Sequence, residues 1–151
     1  HPPFLIGGAG KRMLGIAGRE ADIVHFMPRP IITGDLVDDP RDRLTRCVGE
    51  KVAWLRESAG ERFDRIELSL GATFVVTPDR RAATERLIRE RQWHGIAVEE
   101  VWDMPSIFIG SVDQIVLDLQ ARREALGFSY FIVSDTEMEV CGPVVERLAG
   151  R

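Results

Sequence analysis

Two hydrophobic rhythms alternate along the chain. Short, almost wholly apolar runs stand at Phe4-Leu5-Ile6, at residues 22–26, at residues 66–77 and at residues 128–133; Phe74-Val75-Val76-Thr77 is the most apolar part of the third. Between the runs, apolar residues recur every three or four positions. The runs read as strands and the spaced segments as helices. A first helix is predicted over 11–21, with Met13, Leu14, Ala17 and Ala21 on one side. A second begins with Asp38 or Asp39 as its cap and Pro40 in its first turn. Its stripe is Leu44, Val48, Val52, Leu55 and Ala59, and Gly60 ends it. A third helix follows Pro78-Asp79 as far as residue 91, with Ala83, Leu87 and Ile88 inward, and a short one over 98–104 stops at Pro105. Residues 106–110 form a tight connection or a short strand. Ser111 and Gln114 then have capping-box spacing ahead of the stripe Val112, Ile115, Val116, Leu119 and Leu126, which Gly127 ends. A last helix is expected over 143–149.

Strand followed by helix, four times over, predicts an α/β class with a parallel sheet, right-handed crossovers and outer helices. The near-continuous apolar strands suit a buried parallel sheet. One segment breaks the rhythm. Residues 27–39 form a loop longer than the roughly 2–6 residues usual between strand and helix, and Pro28 and Pro30 end the preceding strand by removing ladder donors. Such a loop can cover a ligand or an open sheet edge.

The chain has 151 residues, which suits one domain, 1–151, large enough to bury its own core. Lys and Arg number 20 against 24 Asp and Glu, a net charge of −4, which argues against nucleic acid or an anionic membrane surface as partner. No apolar run reaches the about 20 residues a membrane helix needs. Cys47 and Cys141 make neither a disulfide framework nor a Cys-x-x-Cys metal site. A cytoplasmic protein is expected.

The strongest chemical signal is Gly7-Gly8-Ala9-Gly10-Lys11-Arg12, where a strand turns into a helix. Small residues there expose backbone N–H groups at the positive end of the helix dipole, a place for a phosphate. The bland reading is a tight turn that needs small residues. The turn is not a P-loop, because Arg12 follows Lys11 and the glycine spacing differs; Met13 stands where a dinucleotide fingerprint needs Gly or Ala.

The stretch Pro3-Phe4-Leu5-Ile6-Gly7-Gly8-Ala9-Gly10-Lys11-Arg12-Met13-Leu14, with Ala17 and then Glu20-Ala21-Asp22-Ile23-Val24, resembles the luciferase-like monooxygenase family. It is most similar to the branch of coenzyme F-420-dependent oxidoreductases. Phe74-Val75-Val76-Thr77, Ile109-Gly110-Ser111-Val112-Asp113-Gln114-Ile115, Ser129-Tyr130-Phe131-Ile132-Val133 and Pro143-Val144-Val145-Glu146-Arg147-Leu148-Ala149 follow in matching order. The resemblance spans nearly the whole chain but only the C-terminal half of a (β/α)8 barrel, which takes about 250 residues. The start at His1-Pro2-Pro3 falls where a barrel's second half would begin. The resemblance implies four βα units of a TIM-barrel type fold, a half-barrel. It further implies that Gly7, Gly8, Ala9 and Gly10, with the amides of Lys11 and Arg12, hold the phosphate end of coenzyme F-420 or, alternatively, of FMN. The ring would sit in the barrel mouth at the strand C-termini, and the reaction would be hydride transfer to a small organic substrate. A half-barrel leaves the inner face of its sheet open, so pairing is expected, as a homodimer or with a separate N-terminal half-barrel. The alternative is a non-catalytic binding subunit or a cofactor-free isomerase or cyclase in a biosynthetic pathway, using His25 and an acidic residue.

His25 ends a predicted strand, the functional end in a barrel. Its ordinary pKa suits proton transfer; the bland reading is a partly buried histidine bonded to a neighbouring loop. Asp35, Asp38 and Asp39 could hold a hard cation, but capping and solvation explain them more simply, and no metal is expected. Arg80, Arg81, Arg86, Arg89 and Arg91, interleaved with Asp79, Glu85 and Glu90, read as a solvated, ion-paired helix face. Trp54, Trp93 and Trp102 read as core or interface, and the two cysteines as buried and inert.

Overall fold

The computed structural model describes residues 2–32 and 36–149. The chain runs β1 (Leu5–Gly8), α1 (Lys11–Glu20), β2 (Ile23–Phe26), β3 (Pro30–Ile32), β4 (Leu36–Asp38), a 3-10 turn Pro40–Arg43 and α2 (Thr45–Ala59). A second 3-10 stretch, Gly60–Arg65, leads to β5 (Glu67–Gly71), β6 (Thr73–Val76), α3 (Arg80–Glu90), α4 (Val98–Asp103) and β7 (Ile107–Gly110). Then come α5 (Val112–Leu126), β8 (Phe128–Ile132), a 3-10 turn Asp135–Glu137 and α6 (Met138–Leu148).

The parallel strands and outer helices expected from the alternation are present, as is the half-barrel that the resemblance implied. Strands β1, β2, β5 and β8 lie side by side in one parallel sheet. Its register aligns Gly7 with His25, His25 with Ser69, and Ser69 with Tyr130. Because strand side chains alternate faces, Val24, Phe26, Leu68, Leu70 and Phe128 share one face. There they form the main core with Leu14 and Ala17 of α1 and Val48, Val52 and Leu55 of α2. The other, inner face carries Leu5, His25, Ser69, Gly71, Tyr130 and Ile132. Leu5, Tyr130 and Ile132 stay 46%, 40% and 41% exposed there.

The expected strand over 66–77 is broken at Ala72, after Gly71, two residue types that strands disfavour. Hydrogen bonds show what the break does. Glu67, Thr73 and Thr77 donate to Asp22, Ser106 and Gly110, whereas Ala72 donates to Ile132 on the opposite side. Donors two apart along a strand point the same way. So β2 and β7 occupy successive stretches of one edge, and β8 takes the other. Residues 106–110 therefore supply a real strand, β7, which pairs with β6 and makes a fifth strand position. A gap opens between the end of β2 and the start of β7.

Four further expectations are corrected. The 27–39 loop contains the antiparallel pair β3 and β4; Pro30 opens β3, where a missing donor is tolerated. Asp39 caps Arg41 at 2.9 Å, but Pro40 starts a 3-10 turn that breaks at Leu44 before α2 begins. The last helix begins at Met138, so Pro143 lies inside it and withdraws one internal donor. At the start of α5 only half of the capping box forms. Ser111 Oγ accepts from the Gln114 N–H at 3.2 Å, while the Gln114 amide donates instead to Asp118 at 3.0 Å. Gly127, at φ 81°, ends α5 in the left-handed conformation that favours glycine. Among the described residues, no helix is long and apolar enough to cross a membrane.

Candidate functional site

The glycine turn sits at the C-terminal end of β1. Gly7 and Gly8 end the strand, Gly10 is the N-cap of α1 at φ −102° and ψ 155°, and Lys11 and Arg12 open the helix. The first intrahelical bond runs from the Leu14 N–H to the Gly10 carbonyl at 3.0 Å, so the earlier N–H groups have no acceptor within the helix. Gly10 has no side chain to take one. A β-carbon at Gly10 would meet nothing within 4 Å, so the backbone is open to an approaching group. At Gly8, a β-carbon would lie 2.7 Å from Met13 Cγ, which ties that glycine to packing. The Lys11 ammonium turns to Glu57 of α2 at 3.4 Å, both well exposed, and Lys11 and Arg12 line a shallow groove between α1 and α2 with Trp54 and Glu57. Their side-chain charge thus leans toward α2, and their backbone amides remain at the turn.

His25 comes alongside through strand register, beside Gly7 on β1 and Ser69 on β5. Its Nδ1 lies 3.0 Å from Ser69 Oγ. A β-carbon at Gly71 would touch His25 Cε1 and Nε2 at 3.9 Å; glycine there leaves the Nε2 edge uncovered. Burial holds the imidazole below its ordinary pKa and favours the neutral ring. The glycine turn adjoins this place: the Met27 N–H donates to the Gly8 carbonyl at 2.9 Å.

The gap between β2 and β7 is a cleft of about 270 Å³. His25, Met27, Gly71, Thr73, Arg91 and Ser106 line it, with Phe26, Val48 and Leu70 as apolar wall. Its floor holds a charge cluster that the sequence reading missed. Lys51, 2% exposed, donates to Asp42 Oδ2 at 2.6 Å and to the Met27 carbonyl at 3.0 Å. The Arg29 backbone N–H and Nε donate to the same carboxylate at 2.5 and 3.0 Å. Burial opposes ionisation of Asp42, but the Lys51 and Arg29 donors outweigh it and hold the carboxyl below its ordinary pKa. The signal was present: Lys51 falls on the inward stripe of α2, between Val48 and Leu55, where a charge needs a partner.

The other candidates resolve into structural roles. Asp35 lies outside the described residues, and Asp39 caps the 3-10 turn. The arginine-rich helix is ion-paired, Arg80 with Asp118 at 3.0 Å and Arg81 with Glu99. Trp93 is buried, and Trp102 donates to Thr84 Oγ1 at 2.9 Å beneath the Arg80 guanidinium. Cys141 is buried, its thiol pKa raised by burial, and Cys47 is half-buried.

No protein-family model matches the chain, and no curated protein matches it. Solved structures do. A long-chain alkane monooxygenase (LadA) aligns with TM-score 0.63 at 15% identity, over 97% of this chain and 41% of its own. An F420-dependent secondary alcohol dehydrogenase, solved with an F420-acetone adduct, aligns with TM-score 0.58 at 15% identity, over 95% and 49%. The coenzyme F420-dependent tetrahydromethanopterin reductase from Methanopyrus kandleri gives 0.56 at 19%, over 95% and 48%. The chain spans less than half the length of each of these proteins. At these identities the likeness is one of fold, and it agrees with the α/β half-barrel to which the sequence motifs pointed.

Proposed function

We propose that the chain binds coenzyme F-420 by its phosphate at the turn formed by Gly7, Gly8, Ala9, Gly10 and the amides of Lys11 and Arg12, and serves hydride transfer between that coenzyme and a small organic substrate. The turn itself carries this reading. It offers backbone N–H groups at a helix N-terminus with no acceptor within the helix and no capping side chain at Gly10, where the space is open. It also stands beside a cleft that holds a neutral histidine. Bound there, the coenzyme would supply the hydride chemistry; the chain's own residues would anchor the phosphate and present the His25 edge to the substrate. Two of the matched solved structures are described as F420-dependent, which favours the deazaflavin over FMN.

We further propose that a second copy of the chain covers the inner sheet face, where Leu5, Tyr130 and Ile132 are exposed. Apolar surface left open in this way marks an interaction site.

Fluorescence titration with coenzyme F-420 and with FMN tests the coenzyme reading. F-420 should bind the chain more tightly than FMN, and Gly10→Asp should abolish binding by setting a carboxylate where the phosphate sits. Aspartate is a good helix cap and fits the Gly10 conformation, so this variant should remain folded. Unchanged affinity in Gly10→Asp would refute the phosphate site.

A further inference from the structure

The cleft between β2 and β7 has a built interior and a charge bias. Ser106 Oγ, in a residue only 6% exposed, has no hydrogen-bond partner among the described residues, yet Ser106 lines the cleft. A buried hydroxyl without a partner costs free energy, and such a group in a native fold calls for an explanation. Next to it, Arg91 Nη2 donates to Thr73 Oγ1 at 2.9 Å while its guanidinium stands over the Trp93 ring. One guanidinium donor is thus used to fix a side chain that has several. Thr73 links the two, because its N–H donates to the Ser106 carbonyl at 2.9 Å. Of the cationic side chains lining the cleft, Lys51 is matched by Asp42, and Arg91 adds a positive charge at the mouth. Asp42 is already held by Lys51 and Arg29. The opposite wall is apolar: Phe26, Met27, Val48 and Leu70.

A cationic mouth, a buried unpaired hydroxyl and an apolar wall suit one ligand chemistry. At about 270 Å³ the cleft is at the small end of ligand pockets, which run from roughly 300 Å³ upward. We propose that the cleft binds a small monocarboxylic acid, its carboxylate on Arg91 and Ser106 and its carbon chain against Met27, Phe26 and Leu70. This rests on the function proposed above only in naming the acid as substrate; the binding itself needs no coenzyme. Gly71 leaves the His25 Nε2 edge open toward such a ligand.

Calorimetric titration of the whole chain with butanoate, and with butanamide as its uncharged counterpart, tests this. Butanoate should bind at millimolar concentration and butanamide about tenfold more weakly, the scale of one charge-assisted hydrogen bond. Arg91→Gln should erase the difference between the two. Ser106→Ala should weaken butanoate binding while thermal stability holds or rises, since it removes an unpaired buried hydroxyl; a merely structural serine would leave binding unchanged. Gly71→Ala, whose methyl fits at 3.9 Å from the imidazole, should also weaken binding in a folded protein. Equal binding of butanoate and butanamide, or full butanoate affinity in Arg91→Gln, would overturn the proposal. Butanoate binding without coenzyme binding would uphold the cleft and sink the coenzyme reading; the reverse result would sink the cleft alone.

Discussion

At the residue scale, the buried Asp42–Lys51 pair and His25 govern the behaviour of the cleft. Removing one member of a buried ion pair strands the other charge, at a cost of about 3–5 kcal/mol. Lys51→Ala should therefore lower urea-unfolding stability by about that much, whereas the apolar pair Asp42→Leu with Lys51→Met should cost far less. The pair also sets an acid limit. Asp42 is held below its ordinary value of 3.8, so the unfolded chain takes up the proton first. Its contribution is complete well above 3.8 and is lost as pH falls from there through the folded-state value. The same sign holds for His25, lowered from 6.5 by burial: its share of stability is present above 6.5 and declines as pH falls below it. An NMR titration of the His25 ring should find a midpoint under 6.5, and His25→Asn should flatten stability across that range. His25 was legible because it lay at the C-terminal end of an apolar strand. Lys51 was on the legible stripe of α2, but its partner stands beyond the helix break at Leu44, and a contact across a break leaves no periodic trace.

At the element scale, α1 and α2 meet unusually closely. A β-carbon at Gly18 would lie 2.3 Å from Ser58 Oγ and 3.0 and 3.1 Å from the Ala59 nitrogen and the Leu55 oxygen, both backbone atoms. Glycine to alanine inside a helix ordinarily stabilises by up to about 1 kcal/mol. Here backbone would have to move, so Gly18→Ala should destabilise by about 1–3 kcal/mol, as overpacked cores do, read as a lower urea midpoint. Helix stripes and stops were legible to within a residue or two where local chemistry decides them, as at Gly60 and Gly127. The elements misread were those decided at a distance. Strand 66–77 breaks at Ala72 because β8 and β7 claim its opposite edges there, and the Gln114 side chain leaves its capping box because Asp118 offers a partner one turn on. Pro143 drew the last helix start to itself, since proline is usually a first-turn residue, yet α6 starts at Met138.

At the scale of the whole molecule, alternation alone was enough for the class: parallel strands, helices outside, and the main core between β2, β5, β8 and the α1–α2 pair. It could not supply strand order, because β5–β8 pairing depends on contacts between residues some 60 positions apart, such as Leu68 with Phe128. If a second copy covers the inner face, native mass measurement should find twice the chain mass, and Tyr130→Lys with Ile132→Lys should return it to one; a monomer in the unaltered chain would contradict the pairing. The glycine turn carries the proposed coenzyme binding. Its most direct test is amide chemical-shift mapping of the chain titrated with coenzyme F-420. The largest shifts should fall on the N–H groups of Ala9, Gly10, Lys11 and Arg12, with smaller ones at His25 and Gly71. Saturating coenzyme that leaves those four amides unmoved would contradict it.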